Sequence, residues 1–287
     1  MSIKLPERLI NSVRRGKCIA FVGSGLSVAA GYPTWAELVQ ALVDEANEMP
    51  LAQIEGLQKF SDRNDWITLA EYAQRVLGPS GIREVLREKI GRKLPPLPVH
   101  RAIAGTAYRG IITTNYDALI ESAIALERGD YANVGFGPSN LDRLAQVLFE
   151  PDPFVFKMHG DVHAAGGVIL ASRDYDRLIV RSPHVRAFLY SVFLNYTVLF
   201  IGYSLSDPDL YLALRELTLI FENHLPKHYA LVAGAGSFEI AHMMSQMNIV
   251  AISYEAGHDH APVLEALEQL RAASPYVDPF ADQIAAD

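Results

Sequence analysis

Short apolar runs separated by helical stretches are the pattern that most restricts how this chain can fold. Lys17–Val22, Gly110–Thr114, Phe154–Met158, Thr197–Ile201, His228–Val232 and Ile249–Tyr254 read as strands. A few apolar residues bounded by turn signals suit a strand covered on both faces. The stretches between them carry helical spacing. In the helix read at 34–48, Thr34 and Glu37 form a capping box, and Trp35, Leu38, Val39 and Leu42 line one face. Strands alternating with helices in this way imply an α/β fold, a mostly parallel sheet with helices on both faces.

In such sheets ligands sit beyond the carboxyl ends of the strands. Here those ends carry Gly23-Ser-Gly25, Thr113-Thr-Asn-Tyr-Asp117, His159-Gly160 and Gly202-Tyr-Ser204. Glycine after a buried strand lets the backbone approach a phosphate, and the next helix aims its N–H groups at the same place. The commonest phosphate motifs do not fit. A P-loop needs Lys followed by Ser or Thr after its glycines, and Gly25 is followed by Leu26-Ser27. A dehydrogenase fingerprint needs a third glycine where Val28 stands, and a second strand where 34–48 reads as helix. Metal ligation is not expected: His159 and His163 flank a glycine turn, and His258 and His260 lie in a polar loop.

Half of the 287 residues are apolar, enough for a sizeable core, and the net charge of −8 argues against nucleic-acid binding by the surface as a whole. A single cysteine excludes a disulfide framework and suits a reducing cytoplasm. No run is long and apolar enough to span a bilayer or to serve as a signal peptide's core. We expect one domain over 1–273, a helical insertion at about 50–100, and a short tail at 274–287. Within the insertion Arg83, Arg87, Lys89, Arg92 and Lys93 are interleaved with Glu84 and Glu88, which reads as a solvated helix face before a patch for an acidic partner or for nucleic acid. Helices are expected at 116–126 and 139–149, and a short strand is possible at Val168–Leu170.

Taken together, Gly23-Ser-Gly-Leu-Ser27 with Gly31-Tyr-Pro33, Thr113-Thr-Asn-Tyr-Asp117, His159-Gly160 and Gly202-Tyr-Ser-Leu205 resemble, in order, the motifs of the sirtuin superfamily across roughly residues 17–255. The resemblance implies a Rossmann-like sheet and NAD as the bound substrate, with no metal. Protein-deacylating sirtuins carry a four-cysteine zinc ribbon, whereas Cys18 is alone here, and Trp35-Ala36 stands where they have Phe-Arg. The chain is more similar to the bacterial sirtuin-like group that hydrolyses NAD in antiphage defence.

By that resemblance Asn115 would hold a ribose hydroxyl or the attacking water and His159 would act as base. Asp117 would meet the nicotinamide amide. Gly23, Ser24, Gly25 and Ser27 would cradle the pyrophosphate, with Gly202 and Ser204 toward the adenosine; Pro33, Trp35 and Thr113 complete the expected cofactor site. The resemblance also implies a homo-oligomer, or a separate defence partner such as an ATPase, an Argonaute-type protein or a sensor. Ordinary structural jobs stay open beside these roles. Asn115 could cap the next helix, Asp117 could complement its dipole, and His159 could be a satisfied turn histidine. At the level of function, a non-catalytic NAD or ADP-ribose sensor and an NAD-dependent deacylase are the alternatives.

Overall fold

The computed structural model describes residues 3–50, 57–129, 135–138, 140–150, 152–163, 168–175, 183–203, 208–222, 224–255 and 261–277. In chain order the elements are α1 (Glu7–Arg14), β1 (Cys18–Val22), α2 (Gly25–Ala29), α3 (Trp35–Asn47), α4 (Gln58–Asp62), α5 (Trp66–Ile90), α6 (Pro98–Ala104) and β2 (Gly110–Thr113). There follow α7 (Leu119–Arg128), β3 (Gly135–Phe136), α8 (Arg143–Phe149), β4 (Phe154–Lys157), α9 (Ser172–Tyr175), α10 (Pro183–Asn195) and β5 (Thr197–Ile201). The chain closes with α11 (Pro208–Phe221), β6 (His228–Ala233), α12 (Ser237–Met247), β7 (Ile249–Tyr254) and α13 (Ala261–Ala273).

All described strand pairs are parallel, in the order β3-β4-β2-β1-β5-β6-β7. This is the expected Rossmann-like α/β sheet. From β1 the chain adds β2, then the edge strand β3, then β4 between those two, and crosses back to β5 to build the other way. The reversal makes the end of β1 the switch point where such sheets leave a crevice.

Burial on both faces is what writes the strands as apolar runs. Ile19, Phe21, Ile112, Phe156 and Phe200 point into one core, where Phe188, Val192, Leu214 and Met243 of the covering helices meet them. Their neighbours Ala20, Val22, Ile111, Val155 and Leu199 point into the other, against Leu9, Ile103, Ala123 and Leu267. The period of two is the alternation of side chains along a strand. Cys18 is fully buried in this second layer, where burial pushes its thiol up to about 12.

A third core joins α3 to α5, with Leu42, Val43, Leu69, Leu86 and Ile90 at its centre, and it takes in Tyr116, Leu119 and Leu170 from the rim of the sheet. Within α5 the backbone breaks at Gly78, φ +63°, ahead of Pro79. Two helical arms therefore stand where one long stretch would otherwise run. Arg83 and Arg87 are exposed beside Glu84 and Glu88, the solvated face anticipated from their interleaving. Arg92 does more, donating to the Gly31 carbonyl at 2.7 Å and tying the end of this unit to the loop before α3.

Several boundaries differ from the sequence expectation for identifiable reasons. The helix expected at 116–126 starts at Leu119, because the Asp117 carboxylate accepts the Leu119 N–H at 2.9 Å and holds the preceding residues in a turn. The helix expected from 139 starts at Arg143. Val168–Leu170 is not a strand; Ile169 N–H donates to the His159 carbonyl at 2.9 Å and Leu170 N–H to Asp174 Oδ2 at 3.1 Å, with no strand ladder. β3, only two residues long, was not foreseen, since its pairing with Val155 and Phe156 is a tertiary matter.

The glycines that end β1 are required by close packing. A Cβ on Gly23 would lie 2.5 Å from the Gly202 carbonyl oxygen, and one on Gly25 would lie 2.9 Å from the same atom. Gly16 differs: its φ is +62° and nothing lies within 4 Å of an added Cβ. We expect Gly23→Ala to cost about 3 kcal/mol or more, because backbone must move. Gly16→Ala should cost about 1 kcal/mol, from left-handed backbone alone. Urea unfolding of the two variants beside wild type checks the contrast, and equal losses would contradict it.

Two buried histidines set a second expectation. Burial pushes His100 down to about 4 and His228 down to about 3 from an ordinary 6.5. In each the Nδ1 accepts a backbone N–H, from Leu97 at 3.1 Å and from Val198 at 3.2 Å. Below about 6.5 the unfolded chain takes up protons that the folded chain refuses. Stability is therefore full above that pH and is lost as pH falls toward the folded values, by roughly 2 kcal/mol per histidine at about pH 4.5. His228→Asn keeps an acceptor near the Nδ1 position but cannot titrate. Its urea midpoint should fall less steeply with acid than that of wild type, whatever its stability at neutral pH.

Candidate active site

At the switch point the ladder between β1 and β5 continues past the strands. Gly23 N–H donates to the Ile201 carbonyl at 2.9 Å and Gly25 N–H to the Gly202 carbonyl at 2.8 Å. The Gly25 N–H is thus engaged with the neighbouring strand end. Gly202 itself sits at φ +60°, which suits glycine, with Leu26 packed against it. These contacts start α2 immediately after the turn and bring Ser27, 4% exposed, to face the end of β2.

A hydrogen-bonded network follows from that placement. The Ser27 hydroxyl donates to Asp117 Oδ2 at 2.7 Å and accepts from Asn115 Nδ2 at 2.9 Å. Asn115 Nδ2 also donates to the Gly23 carbonyl at 3.1 Å. A carbonyl can only accept, so this contact requires the NH₂ of the Asn115 amide on the Gly23 side. Both amide donors are then used, and Oδ1 is buried with no hydrogen-bond partner among the described residues. Thr113 secures the same turn from behind, donating its hydroxyl to the Val22 carbonyl at 2.8 Å and accepting the Asn115 N–H at 3.1 Å.

These groups border a cleft of about 640 Å³. Of the residues expected at the site, Ser24, Gly25, Ser27, Pro33, Trp35, Asn115, Asp117, His159 and Gly202 line it. Gly23 and Thr113 stand one layer behind, acting through Asn115 and the β1 backbone. Ser204 lies outside the described residues. His159 reaches the cleft from the turn after β4, 5% exposed, with its ring edge-on to Tyr175 at 5.2 Å between centroids.

The structure also brings in residues that were not named for the site from sequence, two of them (Tyr32 and Tyr203) inside the quoted motifs. Tyr32, Asn64, Asp65, Trp66, Tyr175 and Tyr203 share the lining, so both tryptophans of the chain face this space. Asn64 to Trp66 come from the unit at 57–94, through a left-handed Asn64 (φ +55°) and an Asp65 that caps α5 by accepting the Thr68 N–H at 3.2 Å. The local signal for them was Asp65 and Thr68 at cap spacing. That cue places a helix start and says nothing of a cleft. Tyr203 adjoins the recognised Gly202 and packs its ring edge against Phe21, with centroids 4.9 Å apart.

The arrangement offers an aromatic cleft, one buried carbonyl acceptor of fixed orientation, a carboxylate and an imidazole. Such a site can hold a planar, hydroxyl-bearing ligand and position a water or hydroxyl against it. Among the described residues no group of three or more His, Cys, Asp or Glu side chains is arranged to hold a metal ion. No helix among them is long and apolar enough to cross a membrane.

NAD(+) hydrolase ThsA of Bacillus cereus (strain MSX-D12) is 32% identical over 215 residues, 74% of this chain and 42% of that protein. NAD(+) hydrolase ThsA of Enterococcus faecium is 30% identical over 231 residues, 79% of this chain and 45% of that protein. Defense-associated sirtuin 2 of Bacillus subtilis is 26% identical over 205 residues, 70% of this chain and 19% of that protein. The chain spans less than half the length of these relatives. A family profile described as a SIR2-like domain matches residues 109–252, half of the chain, from the start of β2 into β7. The chain belongs to the SIR2-like family.

Proposed function

We propose that this protein is an NAD glycohydrolase, cleaving NAD to nicotinamide and ADP-ribose. The observation that carries the reading is Asn115, which lines the same cleft as His159 and whose amide is locked by Ser27 and Gly23, leaving Oδ1 buried with no hydrogen-bond partner among the described residues. Relatives named NAD(+) hydrolase, at 30–32% identity over most of this chain, support it.

Nicotinamide leaves as a neutral group from a pyridinium, so the reaction needs no strong general acid. It needs a stabilised oxocarbenium-like ribose and a positioned water, which preorganised dipoles and geometry supply. In this reading Asn115 Oδ1 accepts a hydrogen bond from the attacking water or a ribose hydroxyl. His159 takes a proton from that water or hydroxyl. Asp117 already accepts from Ser27 and from Leu119 N–H, one bond on each oxygen. Each oxygen keeps a second lone pair with which to accept from the nicotinamide amide.

Ser24 and Gly25 border the pyrophosphate, with Gly202 toward the adenosine. Gly23 and Ser27 contribute chiefly by fixing Asn115. Trp35 and Pro33 form the wall beside the ligand. We place the protein in the cytoplasm, acting in antiphage defence by depleting NAD, as a homo-oligomer or with a separate defence protein of the ATPase, Argonaute or sensor type.

Incubation of the purified protein with NAD, with nicotinamide and ADP-ribose followed by chromatography in the presence and absence of candidate partners, tests the activity. Asn115→Ala and His159→Ala should each lower the rate by about 10²–10⁴. NAD that binds but is not consumed under any condition would replace the hydrolase with a sensing subunit. Nicotinamide release that requires an acylated peptide would replace it with a deacylase. Amide orientation has its own check. Asn115→Asp puts an oxygen against the Gly23 carbonyl, and we expect it to lower stability by about 2 kcal/mol in urea at neutral pH. Unchanged stability would mean that the amide is not held as described.

A further inference from the structure

Lys157, the last residue of β4, is 3% exposed and carries its ammonium into the second layer of the sheet. A buried charge is tolerated only where partners replace its water, and here the partners are unusually informative. Its Nζ meets Asp161 Oδ2 at 2.6 Å and Glu121 Oε1 at 2.9 Å. It also donates to the main-chain carbonyl of Asp117, with the Tyr116 carbonyl 3.5 Å away. Burial pulls the ammonium down and the carboxylates of Glu121 and Asp161 more than offset this, so the group stays charged.

Those partners belong to three segments. Tyr116 and Asp117 follow Asn115 directly, Glu121 lies in the first turn of α7, and Asp161 is two residues beyond His159. Asp161 spends its other oxygen on the His163 N–H at 2.6 Å, closing the turn after the histidine. Val162 N–H reaches the Tyr116 carbonyl at 3.2 Å, so the two rim turns are stitched together beside the ammonium. A buried ion pair is weak as a stabilising device, since an apolar residue of similar volume often serves as well. Capturing main-chain carbonyls is a job that an apolar residue cannot do.

We propose that Lys157, with Asp161, is a positioning residue that fixes the turn carrying Asn115 against the turn carrying His159, and so sets the spacing of the two groups across the cleft. The proposal rests on the reading of those two residues as the reacting pair. Removing Lys157 alone would leave Glu121, whose Oε2 is buried, without its counter-ion, so the test uses Lys157→Met combined with Glu121→Gln, and separately Asp161→Asn, which keeps the Lys157–Glu121 ion pair in place.

Steady-state cleavage of NAD, with thermal midpoints as the control for folding, gives the first readout. We expect kcat to fall at least tenfold in the double variant and about threefold or more in Asp161→Asn, with KM within threefold of wild type in both. Folded variants with kcat within twofold of wild type would overturn the proposal. If the double variant does not fold, Asp161→Asn decides by the same criterion. The second readout does not need activity: the His159 ring resonance in a proton–carbon NMR spectrum, assigned by its loss in His159→Ala. It should move in Asp161→Asn while those of His100 and His228 stay in place. A wild-type protein that neither binds nor cleaves NAD would sink the functional reading and leave this resonance to judge the positioning. An unmoved His159 signal would then overturn it.

Discussion

The tight approach of the β5 end to the β1 end governs this site. Gly202 lies so near Gly23 and Gly25 that a single added carbon at either would collide with backbone. Because the strands stay joined beyond their last paired residues, α2 has one place to begin and Ser27 one direction to face. Ser27 donates its hydroxyl hydrogen bond to Asp117 and is left with lone pairs to accept from Asn115. The orientation of one amide at the ligand cleft is thus traced to a steric limit between two strands. Glycine here is chosen for contact between strands, and any service to a phosphate comes in addition.

That origin explains what the chain disclosed in advance. The long strands were legible because both of their faces are buried, which leaves few polar residues in the run. Asn115, Asp117 and His159 were legible by placement, since strand ends at a switch point are where ligands sit. The structural alternatives for them were only partly alternatives. Asp117 sits at the start of α7, accepting the Leu119 N–H with one oxygen while orienting Ser27 with the other, whereas Asn115 does not cap that helix, its amide being held by Ser27 and Gly23. A residue that anchors the start of a helix can also line the cleft.

Other features were hidden for physical reasons. Lys157 ends an apolar run, where a lysine ordinarily reaches solvent. Its burial depends on Glu121, thirty-six positions earlier in the chain, and on carbonyls that no composition encodes. β3 exists because Phe156 and Val155 offer an edge to Gly135 and Phe136. The break in α5 did have a local sign in Gly78-Pro79, the one breaker pair in an otherwise helical stretch. Of the aromatic wall only Trp35 was marked in advance. Trp66 reads as one more apolar residue on a helix, and only the packing of α3 on α5 turns it toward the cleft.

The solitary cysteine has a practical side. Cys18 lies in the middle of a doubly covered sheet, fully enclosed, with its thiol far from ionising at neutral pH. Thiolate, the form that reacts with disulfides, maleimides and iodoacetamides, is in effect missing from the folded protein. The native chain is therefore a blank background for thiol chemistry. A cysteine introduced on α3 or α5 would carry a spectroscopic label by itself, and motions of those helices could be followed in the otherwise unaltered chain.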